Sequence, residues 1–89
     1  MRIVKFTALW CADCIVMRPS WDEVRNGFPG IVLEEYDFDD HTEAVASFRI
    51  KKVPHTIIYD DQGAELFNFE GMMTKQELIN KIKEYTQEQ

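Results

Sequence analysis

Phe6-Thr7-Ala8-Leu9-Trp10-Cys11-Ala12-Asp13-Cys14 joins an apolar strand pattern to a helical one and holds both cysteines of the chain. Its position has chemical consequences. A helix N-terminus carries about half a positive charge and several unpaired backbone N–H groups. A sulfur held there ionises more readily, and the thiolate is the form that attacks disulfides. A second cysteine one turn on attacks the mixed disulfide made by the first. The stretch therefore predicts a dithiol redox site, with Cys11 half-exposed as nucleophile and Cys14 as resolving thiol. Two other readings stand beside it. Half of a metal site is one, but structural zinc takes four ligands, and His41 and His55 lack a zinc-finger-like spacing to the cysteines. A purely structural disulfide is the other, but so short a loop removes little unfolded-state entropy.

Outward from that junction, Arg2 to Ala8 alternates: Val4, Phe6 and Ala8 fall on one face, and Ile3, Lys5 and Thr7 on the other. This predicts a central strand. Apolar residues Ile15, Val16, Trp21, Val24 and Phe28 suit one side of a helix from Ala12 to about Asn26. Pro19 lies inside it and, having no N–H, predicts a kink rather than an end. Gly27, Pro29 and Gly30 stop the helix. Ile31–Phe38 predicts a second strand, parallel to the first. A short helix starting at Asp40 or Thr42 runs through Phe48. Thr56–Tyr59 and Glu65–Phe69 form a hairpin across Asp60-Asp61-Gln62-Gly63. Thr74-Lys75-Gln76-Glu77 has capping-box spacing, and Leu78, Ile79, Ile82 and Tyr85 line the last helix. The order βαβαββα implies an α/β fold, a four-stranded mixed sheet with helices on both faces.

Eighty-nine residues, 45% hydrophobic and 12% aromatic, suffice for one packed domain spanning 1–89. A net charge of −6 argues against nucleic acid or an anionic membrane surface as partner. No apolar run approaches the ~20 residues a membrane span requires. Arg2-Ile3-Val4-Lys5 enters the strand without a leader-like segment, so the expected location is cytoplasmic, where an isolated cysteine pair is more often catalytic than structural.

Several of these residues together resemble the thioredoxin family, over nearly the whole chain. Trp10-Cys11-Ala12-Asp13-Cys14 is similar to the family's active-site segment, and Pro19 falls where its active-site helix has a kinking proline. Val53-Pro54 resembles the segment whose proline is cis, and Gly71 a glycine near the substrate groove. The family's extra N-terminal strand and helix have no counterpart here. The resemblance implies a thioredoxin-like fold and a protein-disulfide reductase without metal or organic cofactor, because the redox equivalents reside in the Cys11–Cys14 disulfide. It implies disulfide-bearing protein substrates and a separate thiol reductase as electron donor. It also implies that Trp10, Val53, Pro54, Gly71 and Met72 frame a substrate-docking patch, in which the Val53 backbone pairs with an extended segment. For Trp10, and for Met72 and Met73, core packing is the alternative.

Three positions depart from the family pattern. Asp13, where the family's commonest residue is proline, brings a carboxylate beside the thiols, which opposes a second negative charge or complements the helix end. The family's buried Asp and its neighbouring-strand Lys are matched by Lys5 and Glu35, the same pair with its charges exchanged. These two either form a partly buried pair relaying the proton of Cys14, or both reach solvent at an open edge. His55 stands where the family prefers Thr, as a tuning group or metal ligand near the sulfurs or as a surface residue. Two rival functions remain open: a metal or iron–sulfur binding module using Cys11 and Cys14, and a non-catalytic docking domain.

Overall fold

In a computed structural model that describes residues 1–86, the alternating stretch forms β1, Arg2–Thr7, at the centre of the sheet. Residues 87–89, the end of the expected domain, lie outside the described residues. β1 pairs in parallel with β2 (Val32–Asp37) and antiparallel with β3 (His55–Tyr59), which pairs antiparallel with β4 (Glu65–Glu70). The strand order is β2-β1-β3-β4, a four-stranded mixed sheet.

Alternation along β1 divides the interior into two layers, because successive side chains leave a strand on opposite faces. Ile3 faces α2 (Arg18–Gly27) and α4 (Lys75–Thr86), packing with Met17, Trp21, Val24, Ile58, Leu78 and Ile82. Val4 and Phe6 face α3 (Thr42–Ser47), meeting Ile50 and Ile57, with Ala44, Val45 and Phe48 closing the layer. Helices thus cover both faces. The α4 cap is the reciprocal one its sequence spells: Glu77 N–H donates to Thr74 Oγ1 at 3.1 Å, and Thr74 N–H to Glu77 Oε1 at 2.8 Å.

Two local expectations are corrected. The break in the first helix falls at Met17, between α1 (Ala12–Val16) and α2, two residues before Pro19. Pro19 has no N–H for the Ile15 carbonyl, so the ladder is interrupted in the preceding turn. The buried stripe is Cys14, Met17, Trp21 and Val24, while Ile15 and Val16 are 45% and 62% exposed. That 3-4-3 spacing is helical, so the neighbouring Ile15 and Val16 must turn outward. α3 starts at Thr42, one of its two expected starts, behind a His41 N-cap without a side-chain cap bond. The aspartate carboxylate beside it that acts on the backbone belongs to Asp37, whose Oδ1 accepts from the Asp39 and Asp40 N–H groups.

Candidate active site

The end of β1 delivers Ala8 and then Cys11 to the start of α1. Cys11 is the N-cap, in extended conformation (φ −88°, ψ 109°), and its Sγ accepts the Cys14 backbone N–H at 3.1 Å. The capping role that Ser or Asp oxygens usually play falls here to sulfur. Cys11 and Cys14 are joined as a disulfide. They pack with Ala8, Phe38 and Val53 and are 6% and 5% exposed. Cys11 is therefore more enclosed than its place at a helix end suggests, because the 53–54 segment folds over it. The Val53 carbonyl oxygen lies 3.7 Å from Cys11 Sγ.

The Val53–Pro54 peptide bond is cis, and the Pro54 carbonyl accepts the Gly71 N–H at 2.8 Å. Gly71 has φ +123°, a region that side-chain-bearing residues rarely adopt, which ties this position to glycine. One residue on, Met72 is 40% exposed, while Met73 is buried in the core. Core packing is likewise not the role of Trp10, which is 65% exposed. Its ring meets Phe38 edge-on at 6.4 Å, and its Nε1–H donates to Asp39 Oδ2 at 2.7 Å. Sequence marks Asp39, with Asp37 and Asp40, as loop and cap chemistry, but not as the partner of Trp10. The signal was the Asp37–His41 loop, in which Asp37 Oδ1 and His41 Nδ1, accepting the Asp37 N–H at 2.9 Å, set the backbone that presents Asp39.

Behind the disulfide, Lys5 and Glu35 are register partners on β1 and β2, with Nζ 3.2 Å from Oε1. In placement the pair falls between the two expectations: the Lys5 side chain is 8% exposed and that of Glu35 48%. Burial of its ammonium pushes the Lys5 pKa down, Glu35 opposes that, and Arg25 and Arg18 add to it. The Trp21 ring lies 5.1 Å from Nζ, a cation–π contact that partly replaces water. Asp13 is exposed in the first turn of α1, where its charge complements the helix end.

His55 is the position the sequence reads least well. It is buried at 8% exposure rather than at the surface, and its Nε2 meets Asn68 Oδ1 on β4 at 2.5 Å. Strand alternation aligns its side chain with Asn68 and Phe6, and the ring's hydrogen bond leads toward β4 rather than to the sulfurs. Among the described residues no group of three or more His, Cys, Asp or Glu is placed to hold a metal ion, and no helix is long and apolar enough to cross a membrane.

Residues 1–84 match the family described as Thioredoxin. A thioredoxin from Mycoplasma genitalium is 31% identical over 78 residues, covering 88% of this chain and 76% of that protein. A thioredoxin H-type from Fagopyrum esculentum is 30% identical over 80 residues, 90% of this chain and 67% of that one. Among solved structures, thioredoxin 1 of Thermosipho africanus superposes with a TM-score of 0.85 at 28% identity, covering 98% of this chain and 96% of the other. With a Cys-x-x-Cys pair at the head of α1 and a family match over nearly all its length, the chain belongs to the thioredoxin family and is a protein thiol-disulfide oxidoreductase.

Proposed function

We propose that the chain works as one domain over residues 1–89 and runs in the reducing direction. Reduced Cys11 attacks a disulfide in a protein substrate, and Cys14 resolves the mixed disulfide. The observation that carries this reading is the Cys14 N–H aimed at Cys11 Sγ from the first turn of α1. When the pair is reduced, that donor and the helix end stabilise a thiolate on Cys11 more than on any sulfur inside the helix.

Trp10, Val53, Pro54, Gly71 and Met72 form the docking patch. The Val53 backbone pairs with an extended substrate segment, and Trp10 and Met72 supply exposed apolar surface on either side. Lys5 and Glu35 carry the proton of Cys14, Lys5 from inside and Glu35 at the solvent boundary. Asp13 and His55 tune the site, Asp13 by opposing further negative charge at the sulfurs and His55 by holding the strand after Pro54 to β4 through Asn68. The redox equivalents reside in the cysteines, so the reaction calls for no metal or organic cofactor. A separate thiol reductase of the kind that serves this family returns the dithiol. The acidic surface disfavours nucleic acid and membrane partners, and the working compartment is the cytoplasm.

Insulin disulfide reduction tests the assignment. Cys11→Ser should abolish turnover. Cys14→Ser should instead accumulate mixed disulfides with protein substrates, visible as adducts on non-reducing gels. Absence of adducts would refute the division of labour between the two sulfurs.

A further inference from the structure

Thr56 is fully enclosed in β3, and its Oγ1 has no hydrogen-bond partner among the described residues. A buried hydroxyl without a partner forfeits the hydrogen bonds it makes in water. Valine has nearly the same shape without that cost, so packing does not account for threonine here. Its cross-strand neighbour on β1 is Lys5. Both residues wall a cavity of about 10 Å³ that Cys14, Met17, Trp21 and Pro54 close. About 10–15 Å³ holds a single water molecule, provided that two to four polar groups meet it. The Thr56 hydroxyl, the Lys5 amine and the Cys14 sulfur supply three, and Thr7 also lines the cavity. His55 also reaches this wall, but strand alternation turns its ring to the opposite face of the sheet from Lys5 and Thr56, where Nε2 meets Asn68 and Nδ1 has no partner among the described residues.

Lys5 also walls a second cavity, of about 280 Å³ and open to solvent. The charged groups facing it there are Glu35 and Asp37 from β2 and Arg18, Asp22 and Arg25 from α2; the β3 neighbour, Thr56, is uncharged. Lys5 is the ionisable side chain common to both cavities.

We propose that Thr56 is a positioning residue for the resolving cysteine: its hydroxyl seats one water between Cys14 and Lys5, connecting the buried thiol to the Lys5–Glu35 pair. This rests on the role given to that pair above. Lys5 gives an N–H proton to Glu35 Oε1, 3.2 Å away. The amine left takes a proton from the water, which in turn accepts the Cys14 proton as the S–H bond breaks. The Cys14 thiolate then attacks Cys11 Sγ. The Cys11–Cys14 bond forms, the Cys11–substrate bond breaks, and the substrate sulfur leaves with the electron pair and takes a proton from solvent. Across the full cycle two electrons pass from the cysteines to the substrate disulfide.

Reduced protein mixed with 5,5′-dithiobis(2-nitrobenzoate) in a stopped-flow instrument separates the steps. The first thionitrobenzoate released reports attack by Cys11, and the second reports resolution by Cys14. Thr56→Val should slow the second release about a hundredfold, the low side of what a positioned proton path contributes, and move its pH profile to higher pH. The first release should be unchanged, and Thr56→Ser should restore the second. Thr56→Ala provides a second hydroxyl-free variant should valine disturb the fold. A wild-type second phase with an unmoved pH profile in the hydroxyl-free variants would overturn the inference. Glu35→Gln separates the two layers of the argument. If it shifts the second-phase profile while the Thr56 variants do not, only the role of Thr56 fails. If it shifts nothing, the Lys5–Glu35 reading fails and takes this inference with it.

Discussion

Lys5 concentrates the energetic conflict of the site in one side chain. An ammonium held 8% exposed loses most of its water, and the half-exposed Glu35 returns only part of the loss. Since burial lowers its pKa in the folded protein below the ordinary 10.5, the unfolded chain binds more protons between the two values. Folding stability therefore rises with pH through that window, and below it the full penalty applies. Lys5→Met should raise stability at pH 7 by about 1 kcal/mol, within the range for replacing buried charge by apolar volume. The advantage should shrink as pH approaches 10.5. Urea unfolding of both proteins at pH 7 and pH 10 measures it, and an advantage independent of pH would refute this account. The pairing of Lys5 with Glu35 was legible only through the resemblance to the thioredoxin family. How deeply each would sit was not, because exposure depends on what α2 and the Trp21 ring leave open.

At the scale of elements, the ends of helices were easier to read than their faces. The Thr74–Glu77 box is a local pattern, and it forms as written. The end of α3 is local too, but its sequence hides it. Ile50 N–H donates to the Val45 carbonyl at 2.9 Å and Arg49 N–H to that of Ala46 at 3.1 Å, the paired bonds of a Schellman motif. The residue at its turning point is Arg49, with φ +58°, where glycine is usual. Left-handed backbone costs a side-chain-bearing residue about 1–2 kcal/mol, partly offset because glycine loses more chain entropy on folding. Arg49→Gly should therefore stabilise the protein by about 0.5 kcal/mol and leave disulfide reduction unchanged. Guanidinium titration would show a higher midpoint with the same slope, and a lower midpoint would disprove the strain. In α1 and α2 the two exposed apolar residues Ile15 and Val16 misled the assignment of the buried face, since composition alone does not say which stripe meets the sheet.

In the molecule as a whole, β1 belongs to both hydrophobic layers, Ile3 on one side and Val4 and Phe6 on the other. Neither layer can melt while leaving the other's central strand in place. Unfolding of the reduced protein should thus be one transition, with far-ultraviolet circular dichroism and fluorescence of the buried Trp21 giving the same midpoint. Separate midpoints would contradict a single domain. The sequence by itself determined the order of elements, the two faces of β1 and the cysteine pair at a strand-to-helix junction, because these follow from short-range periodicity, caps and turns. Only the tertiary structure decided that Asp39 anchors Trp10, that His55 turns toward Asn68, and that Thr56 faces Lys5 beneath Cys14. Those contacts join residues 13 to 51 positions apart in the chain, and no local pattern encodes which distant side chains the closing sheet will bring together.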